Sequence, residues 1–157
     1  MIQLENAEAD SRNFDCVIDA SVGIKLFLDE PLADRTDALF THLSDEPPAH
    51  FYVLDLFFIE CANILWKHVQ RFDYPAAVAQ QHIADLVTLR LRPVTMQALA
   101  EDALTLANQY KCSAYDAAYV ALATRFAVPL ITVDEALLRI FAGTEFDIRH
   151  LGDWPTV

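Results

Sequence analysis

Basic charge is in short supply. The 157 residues carry 11 Lys and Arg against 23 Asp and Glu, a formal net charge of -12, and such a surface repels a phosphate backbone. A basic groove is not expected, so a nucleic-acid partner would need metal cations to offset the repulsion; a basic protein partner is the other natural complement. Glycine is scarce too, three in all, while 54% of the residues are hydrophobic. That excludes a disordered or low-complexity chain and indicates one globular, helix-rich domain with a sizeable core. Cys16, Cys61 and Cys112 are odd in number, far apart and set in or beside apolar stretches, so they read as core thiols of a reducing cytosol, without zinc-ligand spacing. The histidines (His42, His50, His68, His82 and His150) include no pair at metal-binding spacing and read as surface or rim residues. No apolar run reaches membrane-spanning length, and residues 1–13 lack both the basic start and the apolar core of a signal peptide. The expectation is a flexible acidic tail on a cytoplasmic protein.

What is present is a set of acids delivered by apolar segments. Phe14 to Ile18 reads as a strand ending at Asp19, followed by a short helix over 20–28 that Pro31 stops, and a second helix over 32–43. After Pro47-Pro48, the apolar run Phe51 to Leu54 leads to Asp55, placed as the N-cap of a long helix through about Phe72. Glu60, Asn63 and Lys67 share one face of that helix. Phe57, Phe58, Ile59, Cys61, Ile64, Leu65 and Trp66 crowd the remainder, leaving two readings, a solvated stripe or a face turned toward a site. A helix from Tyr74-Pro75 to about Leu89 and a strand over 91–95 follow, with Pro93 favouring the sheet edge. Leu99, Ala103, Leu106 and Tyr110 then mark a helix with Glu101 and Asp102 on its wet side.

The stretch Ser113 to Asp134 is the centre of the chain. Ser113-Ala114-Tyr115-Asp116 opens an almost wholly apolar helix, Pro129 restarts the chain, and Leu130-Ile131-Thr132-Val133 delivers Asp134. A short helix over 135–141 and an edge strand within 146–151 complete it. Continuous apolar strands separated by helices indicate an α/β fold with a parallel sheet of four to five strands covered on both faces. Ligands of such sheets lie beyond the carboxyl ends of the strands. If the first and fourth strands are neighbours, Asp19 and Asp134 meet there, and Asp116 and Glu60 can approach. Each acid also has a plain explanation as a helix cap or dipole partner. Two carboxylates about 4 Å apart repel by about 4 kcal/mol at an effective dielectric of about 20. Some must therefore hold protons or share a cation, and oxygen ligands without His or Cys suit Mg²⁺ or Mn²⁺.

Val17-Ile18-Asp19-Ala20-Ser21-Val22 with Lys25, then Glu60 with Asn63, Tyr115-Asp116-Ala117-Ala118-Tyr119, and Leu130-Ile131-Thr132-Val133-Asp134, in this order, resemble the PIN-domain ribonucleases, in particular the toxin half of VapBC-type toxin–antitoxin pairs. The resemblance runs from about Phe14 to Leu151. It implies a PIN fold over 14–157 and Mg²⁺- or Mn²⁺-dependent endonucleolytic cleavage of RNA. Asp19, Glu60, Asp116 and Asp134 match the family's acidic catalytic and metal-binding positions. Ser21 and Thr132 match its hydroxyl positions, Asn63 the amide one turn after the Glu, and Lys25 a possible phosphate contact. A homodimer restrained by a cognate antitoxin is implied as well. Tyr115 and Tyr119 are read as packing residues, and Trp66 and Trp154 as structural. A receiver-type signalling domain would need its phosphoacceptor at Asp55, a haloacid-dehalogenase-type phosphatase would want Asp where Ser21 stands, and a non-catalytic PIN-fold binding module stays open beside them.

Overall fold

A computed structural model describes residues 14–154; the acidic tail expected over 1–13 lies outside the described residues. Five short strands form one parallel sheet, β1 (Cys16–Ile18), β2 (Phe51–Leu54), β3 (Arg92–Val94), β4 (Leu130–Thr132) and β5 (Ile148–His150), in the order β3-β2-β1-β4-β5. β1 pairs with both β2 and β4, Val17 standing opposite Tyr52 on one side and Leu130 on the other. The strand order reverses at β1, and the carboxyl ends of β1 and β4 are where a sheet of this order holds its ligands. Pro93 has no N–H to donate and sits, as expected, in an edge strand.

Alternation along the strands fills two cores. Cys16, Ile18, Phe51, Val53 and Ile131 face one side, with α1 (Ala20–Gly23), α2 (Ala33–Thr41), α3 (Phe57–Phe72) and α4 (Ala76–Leu86) packed over them. Val17, Leu54 and Leu130 face the other, under α5 (Ala100–Tyr110), α6 (Ala114–Phe126) and α7 (Glu135–Ile140). Because both faces are covered, the strands read as unbroken apolar runs. α6 is the most enclosed helix, with every residue from Ala117 to Ala123 buried. No described helix is long and apolar enough to cross a membrane.

The shortage of glycine shows at the helix ends. α3, α5 and α6 stop on left-handed residues that are not glycine: Asp73 (φ 53°), Lys111 (φ 57°) and Ala127 (φ 52°). Each accepts a modest backbone cost that a glycine would remove. Gly23 is where glycine is needed for space, since a Cβ there would lie 2.5 Å from Phe57 Cζ. That close approach lets α1, which follows Asp19, lie against the first turn of α3, which carries Glu60.

Two local expectations are corrected. The long helix starts at Phe57 with Leu56 as its N-cap and no side-chain cap bond. Asp55 instead accepts from the backbone N–H of Met96 at 3.2 Å, tying the end of β2 to the segment after β3. The long-range partner wins because β2 and β3 are neighbours, which the local sequence around Asp55 does not reveal. The outer face of α3 is also less enclosed than its apolar content suggests, with Ile59 66% and Trp66 57% exposed.

Candidate active site

Asp19 leaves β1 in an extended conformation and caps α1. Its Oδ1 accepts from Ser21 N–H at 3.3 Å, and its Oδ2 accepts from Ser21 Oγ at 3.1 Å and from Thr132 Oγ1 at 2.6 Å. The same Thr132 hydroxyl accepts from Asp134 N–H at 3.0 Å. One buried hydroxyl at the end of β4 therefore bridges the first acid's carboxylate and the fourth acid's backbone. The main chain adds a further link, Asp19 N–H donating to Ile131 C=O at 3.2 Å.

The plain roles of the other two aspartates are present as well. Asp134 caps α7, its Oδ1 accepting from Ala136 and Leu137 N–H at 2.8 and 3.1 Å. Asp116 lies in the first turn of α6; Ser113 Oγ accepts from its N–H at 3.1 Å and donates to its Oδ2 at 2.8 Å. Helix capping fixes both carboxylates locally, and the pairing of β4 with β1 brings Asp134 to the end of the strand beside that of Asp19.

Glu60, in the first turn of α3, is half-buried and accepts a short hydrogen bond at Oε2 from the hydroxyl of Tyr119 on α6. Tyr119 is only 4% exposed, and burial pushes its phenol far above the ordinary range, so it remains a protonated donor. It packs as expected, yet its hydroxyl reaches the acids. The available signal was its spacing, since Asp116 and Tyr119 stand three apart on one helical face. Tyr115, read as packing, is 62% exposed beside Asp116.

Asp19 and Glu60 lie in the field of neighbouring acids. Burial raises the Asp19 carboxyl above its ordinary range; bonds from Thr132 and Ser21 oppose this, and the charge of Asp134 adds to it. Burial likewise raises Glu60, opposed by the Tyr119 hydroxyl and reinforced by Asp19 and Asp116. A carboxyl raised in the folded state contributes stability that is fully present below its unfolded pKa and lost as pH rises through its folded pKa. Glu60→Gln keeps an acceptor for Tyr119 and removes the charge. Without divalent ions it is expected to melt a few degrees above the parent at pH 7, the gap closing below about pH 4, where the parent carboxyl is protonated in both states. Melting curves across that range check this, and an unchanged or lower midpoint at pH 7 overturns it.

Among the described residues, no three His, Cys, Asp or Glu side chains converge closely enough to hold a metal as they are turned here. Asp134 and Asp116 each face a donor close in sequence, and Glu60 faces the hydroxyl of Tyr119. The donor chemistry nevertheless fits a hard divalent cation, being entirely carboxylate and hydroxyl oxygen and carrying mutual repulsion that a cation would relieve.

Residues 16–142 match the PIN domain. The chain belongs to the PIN domain family. Among curated relatives, ribonuclease VapC3 of Pyrobaculum aerophilum is 30% identical over 127 residues, covering 80% of this chain and 93% of that one. In fold, the chain is similar to the crystal structure of PAE2754 from Pyrobaculum aerophilum (TM-score 0.63, 22% identity, 88% of this chain and 84% of the other). It is also similar to a toxin–antitoxin complex from Klebsiella pneumoniae (TM-score 0.61, 19% identity, 87% and 98%). Membership in the PIN family replaces the receiver-type and phosphatase alternatives.

The supporting residues divide. Ser21 and Thr132 of this PIN domain bond directly to Asp19. Asn63 is exposed one turn beyond Glu60, with no hydrogen bond to the acids among the described residues. Lys25 is buried, and its Nζ pairs with Glu30 Oε2 at 3.0 Å, while His68 Nε2 stands 3.5 Å from Glu30 Oε1. It is committed to a carboxylate rather than open to a phosphate, because its short segment folds back onto α3. Trp154 is buried, as a structural residue would be, but Trp66 is not.

Proposed function

We propose that this PIN domain is a Mg²⁺- or Mn²⁺-dependent endoribonuclease and the toxin component of a toxin–antitoxin pair. The observation that carries the reading is the join of Asp19 to Asp134 through the Thr132 hydroxyl at the ends of the neighbouring strands β1 and β4, with Glu60 in the field of Asp19 and Asp116. The kinship with a VapC ribonuclease supports the same chemistry, and the fold shared with a toxin–antitoxin complex is consistent with the biological role.

Asp19, Asp116 and Asp134, with Glu60, would hold the cation. A hard divalent ion supplies positive charge for activating water toward a phosphodiester and for offsetting charge on the departing oxygen. The chain's own work is positional. Thr132 and Ser21 fix the Asp19 carboxylate, and Tyr119 fixes Glu60. The fixed ends of α6 and α7 present Asp116 and Asp134 at the same site. No Ser–His or Cys–His pair stands with them, so no side-chain nucleophile is assigned, and water is the attacking group. We further propose a cytoplasmic homodimer and a cognate antitoxin whose basic side chain, Arg by its bidentate geometry, enters the acidic site in competition with metal.

The test is a panel of single-stranded and structured RNAs incubated with purified protein in Mn²⁺, in Mg²⁺ and in chelator. The expected products carry a 5′-phosphate and a 3′-hydroxyl, and chelator abolishes their formation. Cleavage that persists in chelator, or ends that carry a 2′,3′-cyclic phosphate, overturns the mechanism.

A further inference from the structure

α3 begins at the acids and leads away from them along the surface. From Glu60 the residues Asn63, Lys67 and Arg71 follow at intervals of three, four and four, which keeps them on one face. All three are exposed. The line is about 16 Å long at the rise of a regular helix. Beside it stands the 57% exposed indole of Trp66. Lys67 and Arg71 make no hydrogen bond or ion pair among the described residues, as is true of Arg90, Arg92, Lys111 and Arg139, whereas Lys25 and Arg149 pair with Glu30 and Asp147 and Arg35 and Arg125 are tied to backbone carbonyls. A cation in a last helical turn has a plain explanation in the helix dipole, which accounts for Arg71 but not for Lys67 or for an exposed tryptophan.

We infer that the outer face of α3 is a track for single-stranded RNA, on which Lys67 and Arg71 contact successive phosphates and Trp66 stacks an unpaired base. This rests on the endoribonuclease reading and names the residues beyond the acids that position the strand. In a chain of net charge -12 a polyanion needs an approach where unpaired cations outnumber acids, and α3 beyond Glu60 provides one continuous with the acids. A single strand is specified because an exposed indole needs a base with a free face, which a duplex does not offer. A protein partner is the competing occupant, since Ile59, at 66% exposure, adds apolar surface to the same face.

The experiment measures binding of a labelled single-stranded oligoribonucleotide at low ionic strength in chelator, and KM and kcat for cleavage in Mn²⁺. Trp66→Ala is expected to weaken binding roughly tenfold, within the range for loss of one stacked base, and to raise KM with kcat little changed. Trp66→Phe retains most of the affinity. Lys67→Ala with Arg71→Ala lowers the slope of log affinity against log salt by about 1.4, two contacts at about 0.7 each. A duplex of the same sequence binds more weakly than the single strand and is insensitive to Trp66→Ala. If the parent cleaves RNA and these variants bind and cleave like it, the track is wrong and the nuclease assignment stands. A Trp66→Ala protein that changes its oligomeric state in gel filtration, with RNA affinity unaltered, makes the face a protein interface and overturns the inference. A parent that neither binds nor cleaves any RNA removes the nuclease reading beneath it.

Discussion

Asp19→Asn, Asp116→Asn and Asp134→Asn are each expected to lower RNA cleavage by roughly 10²- to 10³-fold, the scale of losing one preorganised electrostatic partner of a transition state. The fold should persist. Asn at 134 can still accept from the N–H groups of Ala136 and Leu137, and the α6 cap is the Ser113 hydroxyl accepting from the backbone N–H at 116, which the substitution leaves in place, so neither helix loses its cap. At 19, an amide oxygen can accept from Ser21 N–H, while the amide nitrogen must meet the Thr132 hydroxyl. Asp19→Asn therefore carries the greatest risk of local rearrangement. Thr132→Val separates charge from placement, since it keeps every carboxylate charge but removes the hydroxyl shared by Asp19 and Asp134. Its loss of activity should be smaller, roughly 10- to 100-fold, as for groups that orient metal ligands. Single-turnover rates at saturating Mn²⁺, with circular dichroism as the control, decide the matter. Full activity in any of the three aspartate variants removes that residue from the assignment.

Millimolar Mn²⁺ or Mg²⁺ should raise the melting temperature by roughly 5–10 °C. A ligand that binds only the native state at about 100 times its dissociation constant stabilises by about 2.7 kcal/mol, and a domain of this size gains roughly 2–4 °C per kcal/mol. The physical origin lies in the repulsion among the acids, where burial and neighbouring charges raise both Asp19 and Glu60. A bound cation replaces that repulsion with attraction. Asp116→Asn should weaken the shift and move its midpoint to higher metal concentration. A flat melting temperature through millimolar metal, or an equal shift in Asp116→Asn, counts against a site built from these acids.

Much of the fold is legible in the chain. β1, β2 and β4 are three or four residues long and wholly or largely buried, so their apolar runs stand out. The pattern also places Asp19 and Asp134 at strand ends and Asp116 in the first turn of a helix, because caps follow from local hydrogen bonding. The missed features depend on contacts outside each residue's own element. Asp55 lacks its helix-capping role because Met96 lies across from it in the neighbouring segment. Lys25 is engaged by Glu30, five residues on, once the chain turns back. Tyr119 reads as one more large residue in an apolar helix until α3 brings Glu60 to its hydroxyl.

By itself, the amino-acid sequence determined the α/β class, the element order, the acidic balance and the identity of the carboxylates. These depend on composition, on periodicity and on contacts within a few residues. The adjacency of β4 and β1, expected from two buried strands that each end in Asp, is present; only the tertiary structure decided that one threonine hydroxyl joins Asp19 to Asp134, that a buried tyrosine holds Glu60, and that the outer face of α3 carries an exposed tryptophan. Each of these depends on which surfaces meet across tens of residues of chain, and that choice is made by the summed burial of both cores rather than by any local segment.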